Sequence, residues 1–382
     1  MSERIRVAIV ITRLDLGGAQ EVALETAARL DPALFDVVLL AGPGGLLDAE
    51  AARRLGPRYI PVPRLVHPVR PLQDLAALFW LWAFFRRGGT QVVHTHSSKA
   101  GLLGRLAARL AGVPTLLHTV HGWSFNDFQS APAFSAFVAL ERWLARLGGR
   151  LVVVAVSLRE KGLLHRIGRP HQYELLRAAV DREAWAATPR SRAALKRLLP
   201  GLKPKVVGVV ANLKPQKAPL DFVRIAAAVA AGRRDVDFVY IGDGPLRARA
   251  EALALALGLK GRMHFLGWQR EPRRLAAGMD VFLLPSLHEG LPCVFPQALS
   301  LGLPVVASAV DGAAEIVKEG VNGYLCQPGD VDAMADRVAA LLDDPSLRRR
   351  LAAAARRGVD PDFGFDAMVR RSQALYTVEA AA

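Results

Sequence analysis

Twelve short apolar runs, separated by helical stretches, restrict this chain to a narrow set of folds. The first six are RVAIVI (6–11), FDVVLLA (35–41), RYIPV (58–62), QVVHTH (91–96), TLLHTV (115–120) and RLVVVAVS (150–157). They are nearly continuous in apolar character, as burial on both faces of a parallel sheet requires. Between them lie helical patterns such as AQEVALETAARL (19–30), KAGLLGRLAARLAG (99–112) and FSAFVALERWLARLG (134–148). This strand–helix–strand grammar predicts an α/β fold with doubly wound sheets.

The grammar pauses over 177–204, a polar, basic, proline-containing stretch. It restarts with KVVGVVANL (205–213), VDFVYIGDG (236–244), RMHFLG (262–267), MDVFLLPS (279–286), LPVVAS (303–308) and NGYLC (322–326). The expected organisation is therefore two Rossmann-like domains, 1–180 and 205–361, with 181–204 as linker and first helix of the second half. The tail, 362–382, reads as a last helix packing back on the first domain. Two such domains facing each other would make an interdomain cleft at the carboxyl ends of both sheets, where open α/β folds hold ligands.

Composition supports a globular chain of 382 residues, 52% apolar, with room for two cores. Two cysteines, Cys293 and Cys326, form no disulfide framework and fit a reducing cytoplasm. The start, MSERIRVAIVITRLDLGG, has too short an apolar run for a signal peptide. LAALFWLWAFF (75–85) is shorter than the roughly 18 residues that span a bilayer. Net charge is +15, and the stretch 64–126 holds seven Lys/Arg against one acid, Asp74. Phosphorylated small molecules or an anionic membrane surface are suitable partners. No zinc-finger spacing, RRM motif or heptad-linked basic region is present, so nucleic acid is not expected.

Five places carry polar residues at strand ends. Gly17-Gly18, after the first strand, let backbone N–H groups approach an anion at a helix N-terminus, although any tight βα turn would use such a pair. His94 and His96 share one side of a strand by alternation, and His118 and His121 stand at the next strand end. Four imidazoles there suit zinc or a hydrogen-bonding role; no Asp, Glu or Cys ligand accompanies them, which favours hydrogen bonding, above all for His121. In ANLKPQKAPLDF (211–222), Asn212 and Lys214 follow a strand, and Lys217 is expected at a helix start, where a phosphate would offset its conflict with the dipole. Gly242 and Gly244 lack the third glycine of a dinucleotide fingerprint. In SLHEGLPCVFPQALS (286–300), Glu289 sits in a turn whose N–H groups feed a helix around 294–300 carrying Gln297. Such a cradle would suit a nucleotide sugar, with Glu289 on the sugar and Gln297 on the ribose.

Taken in order, LGGAQE, VVHTHSSKAGLLGRLAARLAGVP, HTVHGW, LKPQKAPLDF, IGDGPLR, FLGW and SLHEGLP…ALSLGLPVVASAVDGAAEIVKEGVNGYL resemble the retaining GT-B glycosyltransferases of the glycosyl transferases group 1 family. The likeness spans nearly the whole chain and is nearest to bacterial transferases of exopolysaccharide, capsule or lipopolysaccharide assembly.

The resemblance implies transfer of a hexose or N-acetylhexosamine from a nucleotide diphosphate sugar, UDP-linked, to a lipid-linked or saccharide acceptor. It places the enzyme in the cytoplasm, peripheral on the inner face of the cytoplasmic membrane. It implies diphosphate contacts for Gly18 and Lys217, sugar contacts for Glu289 and His121, and phosphate-binding backbone at Gly290 and Leu291. No cofactor and no essential metal are implied. A noncatalytic nucleotide-sugar-binding relative and a sugar-nucleotide epimerase share the same fold. The chain departs from the family at three points. Asn212 replaces the arginine partner of the lysine, leaving Lys214 as the nearby substitute; Gln297 replaces the second glutamate; and Ala178-Ala179 replace Asn-Gly before Asp181.

Overall fold

The computed structural model describes residues 4–381, which form two units, 4–180 with 362–381, and Asp181–Pro361. In the first unit the strands are β1 (Ile5–Arg13), β2 (Phe35–Gly42), β3 (Tyr59–Pro61), β4 (Val92–His96), β5 (Thr115–Val120), β6 (Arg150–Val153) and β7 (Tyr173–Leu175). They pair parallel in the order β3-β2-β1-β4-β5-β6-β7. Every residue from Val7 to Ile11 of β1 and from Val92 to His96 of β4 is buried, which is why β1 carries no polar face and the polar residues of β4 lie inside.

The second unit repeats the pattern with β8 (Lys205–Val210), β9 (Val236–Ile241), β10 (Met263–Phe265), β11 (Val281–Leu284), β12 (Val305–Ser308) and β13 (Gly323–Cys326). Their order, β10-β9-β8-β11-β12-β13, is again parallel throughout. Both sheets thus have the doubly wound Rossmann order, and the chain crosses sides at β1/β4 and at β8/β11. Residues 182–186 and 193–198, inside the stretch read as linker and first helix, are both short helices, the first capped by Asp181 through its side chain to the Ala184 N–H (2.9 Å). Ala178 and Ala179 are buried.

The last helix, Phe365–Ala381, lies on the first unit. Val180 donates to the Phe363 carbonyl (2.9 Å), and Tyr376 is fully buried with its ring edge-on to Phe35 at 6.0 Å. Among the described residues no helix is long and apolar enough to cross a membrane. The helix Pro71–Arg87 buries only Ala77, Leu81 and Phe85, one face at four-residue spacing, in the core beneath β1 and β4.

Two glycines set how closely the helix Ser98–Ala111 approaches the sheet. A Cβ on Gly101 would stand 2.4 Å from the His118 ring, and one on Gly104 would stand 2.7 Å from the Thr95 methyl. His118 is buried and held by Thr95, so the ring has nowhere to move. Helix propensity alone favours alanine over glycine by about 1 kcal/mol. The clash reverses that sign: Gly101→Ala is expected to destabilise the chain by about 1–3 kcal/mol in urea unfolding. A stabilised variant would mean that the helix stands off from the sheet.

Candidate active site

The carboxyl ends of β8 and β11 carry the second unit's polar groups. After β8 the chain runs through Ala211–Leu213, against which the Gly242–Gly244 turn lies closely. A Cβ on Gly242 would meet the Ala211 carbonyl oxygen at 1.9 Å, and one on Gly244 the Leu213 backbone at 2.8 Å. The glycine pair therefore serves backbone packing at this turn. Lys217 closes a 3₁₀ turn, Pro215–Lys217, two residues before the helix Pro219–Ala231 begins. Between them Ala218 takes φ 44°, a left-handed conformation that side chains disfavour.

After β11, the turn at Ser286–Leu291 is laced to that first loop. Leu287 N–H donates to the Gln216 carbonyl (2.8 Å), and Gln216 Nε2 donates to the His288 carbonyl (3.1 Å). Glu289 is 7% exposed, and its carboxylate is well supplied. Ser286 Oγ donates to Oε1 at 2.6 Å, Lys217 Nζ forms an ion pair with the same oxygen, and Gln216 Nε2 lies 3.4 Å from Oε2. The Glu289 N–H donates to Asp311 Oδ2 (3.1 Å), and Asp311 itself holds φ 35°. A buried carboxylate is costly unless its oxygens find partners of this kind.

Gly290 and Leu291 are buried, yet among the described residues their N–H groups donate to no protein acceptor. Two buried amides without protein acceptors are uncommon in a folded protein, and these two directly follow Glu289, the partner of Lys217. Gln297 lies in the helix Val294–Ser300, half-buried, with no side-chain hydrogen bond among the described residues. Asn212 is half-buried; its carbonyl accepts the Tyr240 hydroxyl (3.1 Å), while its side-chain Oδ1 is buried without a partner. Lys214 is exposed and makes no ion pair among the described residues. The second unit thus brings Lys217, Glu289, Gly290 and Leu291 together, with Ser286, Gln216 and Asp311 added.

In the first unit, Gly17 precedes the helix Gly18–Arg29, and the first helical hydrogen bond is Glu21 N–H to the Gly17 carbonyl (3.0 Å), so the N–H groups before Glu21 have no intrahelical acceptor. Beside β1, Thr12 Oγ1 and Ser97 Oγ share a hydrogen bond of 2.7 Å, and Ser97 has φ 66°. Three of the four histidines, His94, His96 and His118, are buried, and half-buried His121 joins them. His94 Nδ1 meets the Tyr376 hydroxyl at 2.6 Å and its Nε2 meets Thr119 Oγ1 at 2.7 Å. His118 Nδ1 meets Thr95 Oγ1 at 2.9 Å, and His96 Nδ1 meets His121 Nε2 at 3.0 Å. His96 Nε2 is buried without a partner. Among the described residues no three His, Cys, Asp or Glu side chains converge as a metal site.

Burial drives all four imidazoles towards the neutral form, taking His94 down to about 3 and His121 to about 4. His96 and His118 are also lowered, by burial first and by neighbouring positive charge second. The rings of His94 and His96 lie 4.4 Å apart, so protonating both would set two cations in contact.

Residues 17–179 match the family model described as glycosyl transferase 4-like domain, and residues 192–358 the model described as glycosyl transferases group 1. The chain is 32% identical over 349 residues to the UDP-Gal:alpha-D-GlcNAc-diphosphoundecaprenol alpha-1,3-galactosyltransferase of Escherichia coli, covering 90% of this chain and 89% of that one. It is 30% identical to the 2-deoxystreptamine glucosyltransferase of Streptomyces kanamyceticus, covering 80% and 83% respectively. Among solved structures, HepE of Anabaena in complex with UDP and glucose superposes with a TM-score of 0.82 at 20% identity, over 98% of this chain and 100% of that one. Sucrose-phosphate synthase from Thermosynechococcus elongatus gives the same score and identity over 99% and 100%. These likenesses show the GT-B fold.

The histidine geometry has a consequence for acid stability. Each folded-state value lies below the ordinary 6.5, so the unfolded chain binds more protons between pH 6.5 and about 4. Stability is complete above pH 6.5 and falls as pH drops through that window. His121→Asn is expected to flatten the fall by up to one proton, about 1.4 kcal/mol per pH unit, in urea unfolding at stepped pH. An unchanged slope would show that His121 is not held neutral.

Proposed function

This chain belongs to the glycosyl transferases group 1 family, and we propose that it moves a hexose or N-acetylhexosamine from a UDP-linked sugar to a lipid-linked or saccharide acceptor, with retention at the anomeric carbon. The observation that carries the reading is the buried Lys217–Glu289 pair beside the two open amides of Gly290 and Leu291. In the transfer, the bond between the anomeric carbon and the diphosphate oxygen breaks. The acceptor hydroxyl oxygen bonds that carbon, and its proton passes to the departing diphosphate oxygen. Negative charge grows on the departing diphosphate, and fixed donors aimed at it are the largest stabilisation such a step can receive. Lys217 has two donors beyond the one on Glu289, and the Gly290 and Leu291 amides add two more. We assign these groups, with the Gly17–Gly18 turn, to the diphosphate, and no essential divalent metal to the step.

Glu289, fixed by Ser286 and Lys217, is assigned to the hydroxyls of the transferred sugar, and His121, neutral and hydrogen-bonded to His96, to the same sugar. Gln297 and Asn212 are assigned to the nucleoside. The UDP preference is supported by the galactosyltransferase relative, whose name specifies UDP-Gal, and by the HepE complexes. That relative's acceptor is a diphosphoundecaprenol-linked sugar, which supports a lipid-linked acceptor in bacterial cell-surface polysaccharide synthesis, made at the inner face of the cytoplasmic membrane.

A panel of nucleotide sugars, followed by linkage analysis of the product, tests the reading. Lys217→Ala and Glu289→Ala are each expected to lower kcat/KM by about 10²–10³-fold, the usual loss for one fixed charge-stabilising group. Unchanged turnover in both would overturn the assignment. Donor bound but left intact would instead mark a noncatalytic relative, and conversion of donor without acceptor an epimerase.

Gln297 gives an independent check. An amide and a carboxylate both accept a ribose hydroxyl, so Gln297→Glu should keep donor affinity. Gln297→Ala should weaken it by about tenfold, measured by calorimetry with UDP. Equal affinity in all three proteins would remove Gln297 from the site.

A further inference from the structure

The helix Pro71–Arg87 is apolar around its whole circumference, yet it is buried on one side only. Its inner face, Ala77, Leu81 and Phe85, fills the first unit's core. Its outer face carries Leu72, Leu75 and Phe79 at helical spacing, 85%, 49% and 59% exposed, preceded by Val69 at 82%. A helix apolar all round is normally buried all round, so a contiguous apolar stripe left in water marks a docking face.

The charge around that stripe says what docks there. The one acid of the segment, Asp74, is already neutralised by Lys99 Nζ at 2.6 Å. Arg64, Arg70, Arg86 and Arg87 are exposed and make no ion pair among the described residues. Arg86 and Arg87 complement the helix C-terminus, whereas Arg70 stands at the N-cap, where the dipole disfavours a cation unless an anion lies near. The face is therefore an apolar stripe with unpaired guanidiniums at both ends, the pattern of a helix lying in the plane of an anionic bilayer.

We propose that the outer face of Pro71–Arg87 docks this protein on anionic phospholipid, with Val69, Leu72, Leu75 and Phe79 entering the acyl boundary and Arg64, Arg70, Arg86 and Arg87 meeting the headgroup phosphates. The helix lies on the membrane and does not cross it. This deepens the reading of a lipid-linked acceptor and rests on it for its purpose, but the docking itself is a separate physical event.

Co-sedimentation of the full chain with phosphatidylcholine vesicles, with and without about one-third phosphatidylglycerol, tests it. Binding is expected to the anionic vesicles only and to fall steeply with salt. Leu72→Ser/Phe79→Ser should lower partitioning by about tenfold or more, through lost apolar burial. Arg86→Ser/Arg87→Ser should lower it by roughly fivefold for each charge. Affinity for UDP should be unchanged in both variants, which separates a failed docking face from a failed transferase reading. Wild-type binding to neither vesicle, or binding indifferent to both variants, would overturn the proposal. So would a dimer of the free protein that Leu72→Ser/Phe79→Ser dissociates, because a second copy would then cover the face.

Discussion

Burial of both faces of a parallel sheet governs where polar chemistry can sit in each unit. Side chains along the strands have no route to water, so polar groups collect where the strands end. β4 and β5 show what happens when polar residues enter the strands themselves. His94, Thr95, His96, His118 and Thr119 are all at most 4% exposed. Nearly every polar atom there finds another: Thr119 and Tyr376 take both nitrogens of His94, and Thr95 takes His118. The Tyr376 hydroxyl comes from the last helix, so the C-terminal segment completes the hydrogen bonding of a strand 282 residues earlier. Removing that helix would leave a buried imidazole nitrogen without a partner, a penalty of about 1–3 kcal/mol beyond the lost packing.

The second unit meets the same constraint with a charge pair. Lys217 and Glu289 are 15% and 6% exposed at their side chains, and they join the loops after β8 and β11. A buried pair adds little net stability compared with apolar packing, but removing one partner strands the other charge and costs about 3–5 kcal/mol. The arrangement is thus a device for holding geometry. Gln216 and Leu287 tie the same two loops, and Asp311 fixes the Glu289 backbone. Ala218 and Asp311 sit in left-handed backbone on either side of this network. Strain of that kind persists only where surrounding contacts over-determine it, and those contacts here are the ones that aim Lys217 and Glu289.

The strands were legible because their apolar runs are long and unbroken. β7 was not: it has three residues, with Glu174 in the middle. Over 181–204 one helix was legible where the chain folds two, because these are only five and six residues long and largely polar or alanine. Alternation placed His94 and His96 on one side, but nothing local pointed to Tyr376 as the partner. Glu289 and Lys217 were visible through the SLHEGLP and LKPQKAPLDF blocks. Their supports were not, since Ser286 and Gln216 are unremarkable polar residues and Asp311 acts on a backbone N–H from 22 residues away. The apolar segment 75–85 suited either a core helix or a docking helix. The structure buries one face of that helix and exposes the other, a division that hydropathy alone does not give.

Asn212 and Gln297 are best understood together. Relative to the pattern this chain resembles, Asn212 removes a cation and Gln297 removes an anion, so the site loses one charge of each sign. The remaining pair, Lys217 and Glu289, is itself neutral in sum, and both members are buried enough that an unmatched charge nearby would be felt strongly. Losing the arginine alone would have left two carboxylates against one lysine beside a developing diphosphate, the least favourable balance for a departing anion. Losing the glutamate alone would have left two cations to tighten the hold on diphosphate in the ground state as well as in transfer, which does not raise turnover. The paired replacement avoids both imbalances. On the proposed reading, the remaining charge stabilisation would rest on Lys217, held by Glu289, and on the backbone amides of Gly290 and Leu291.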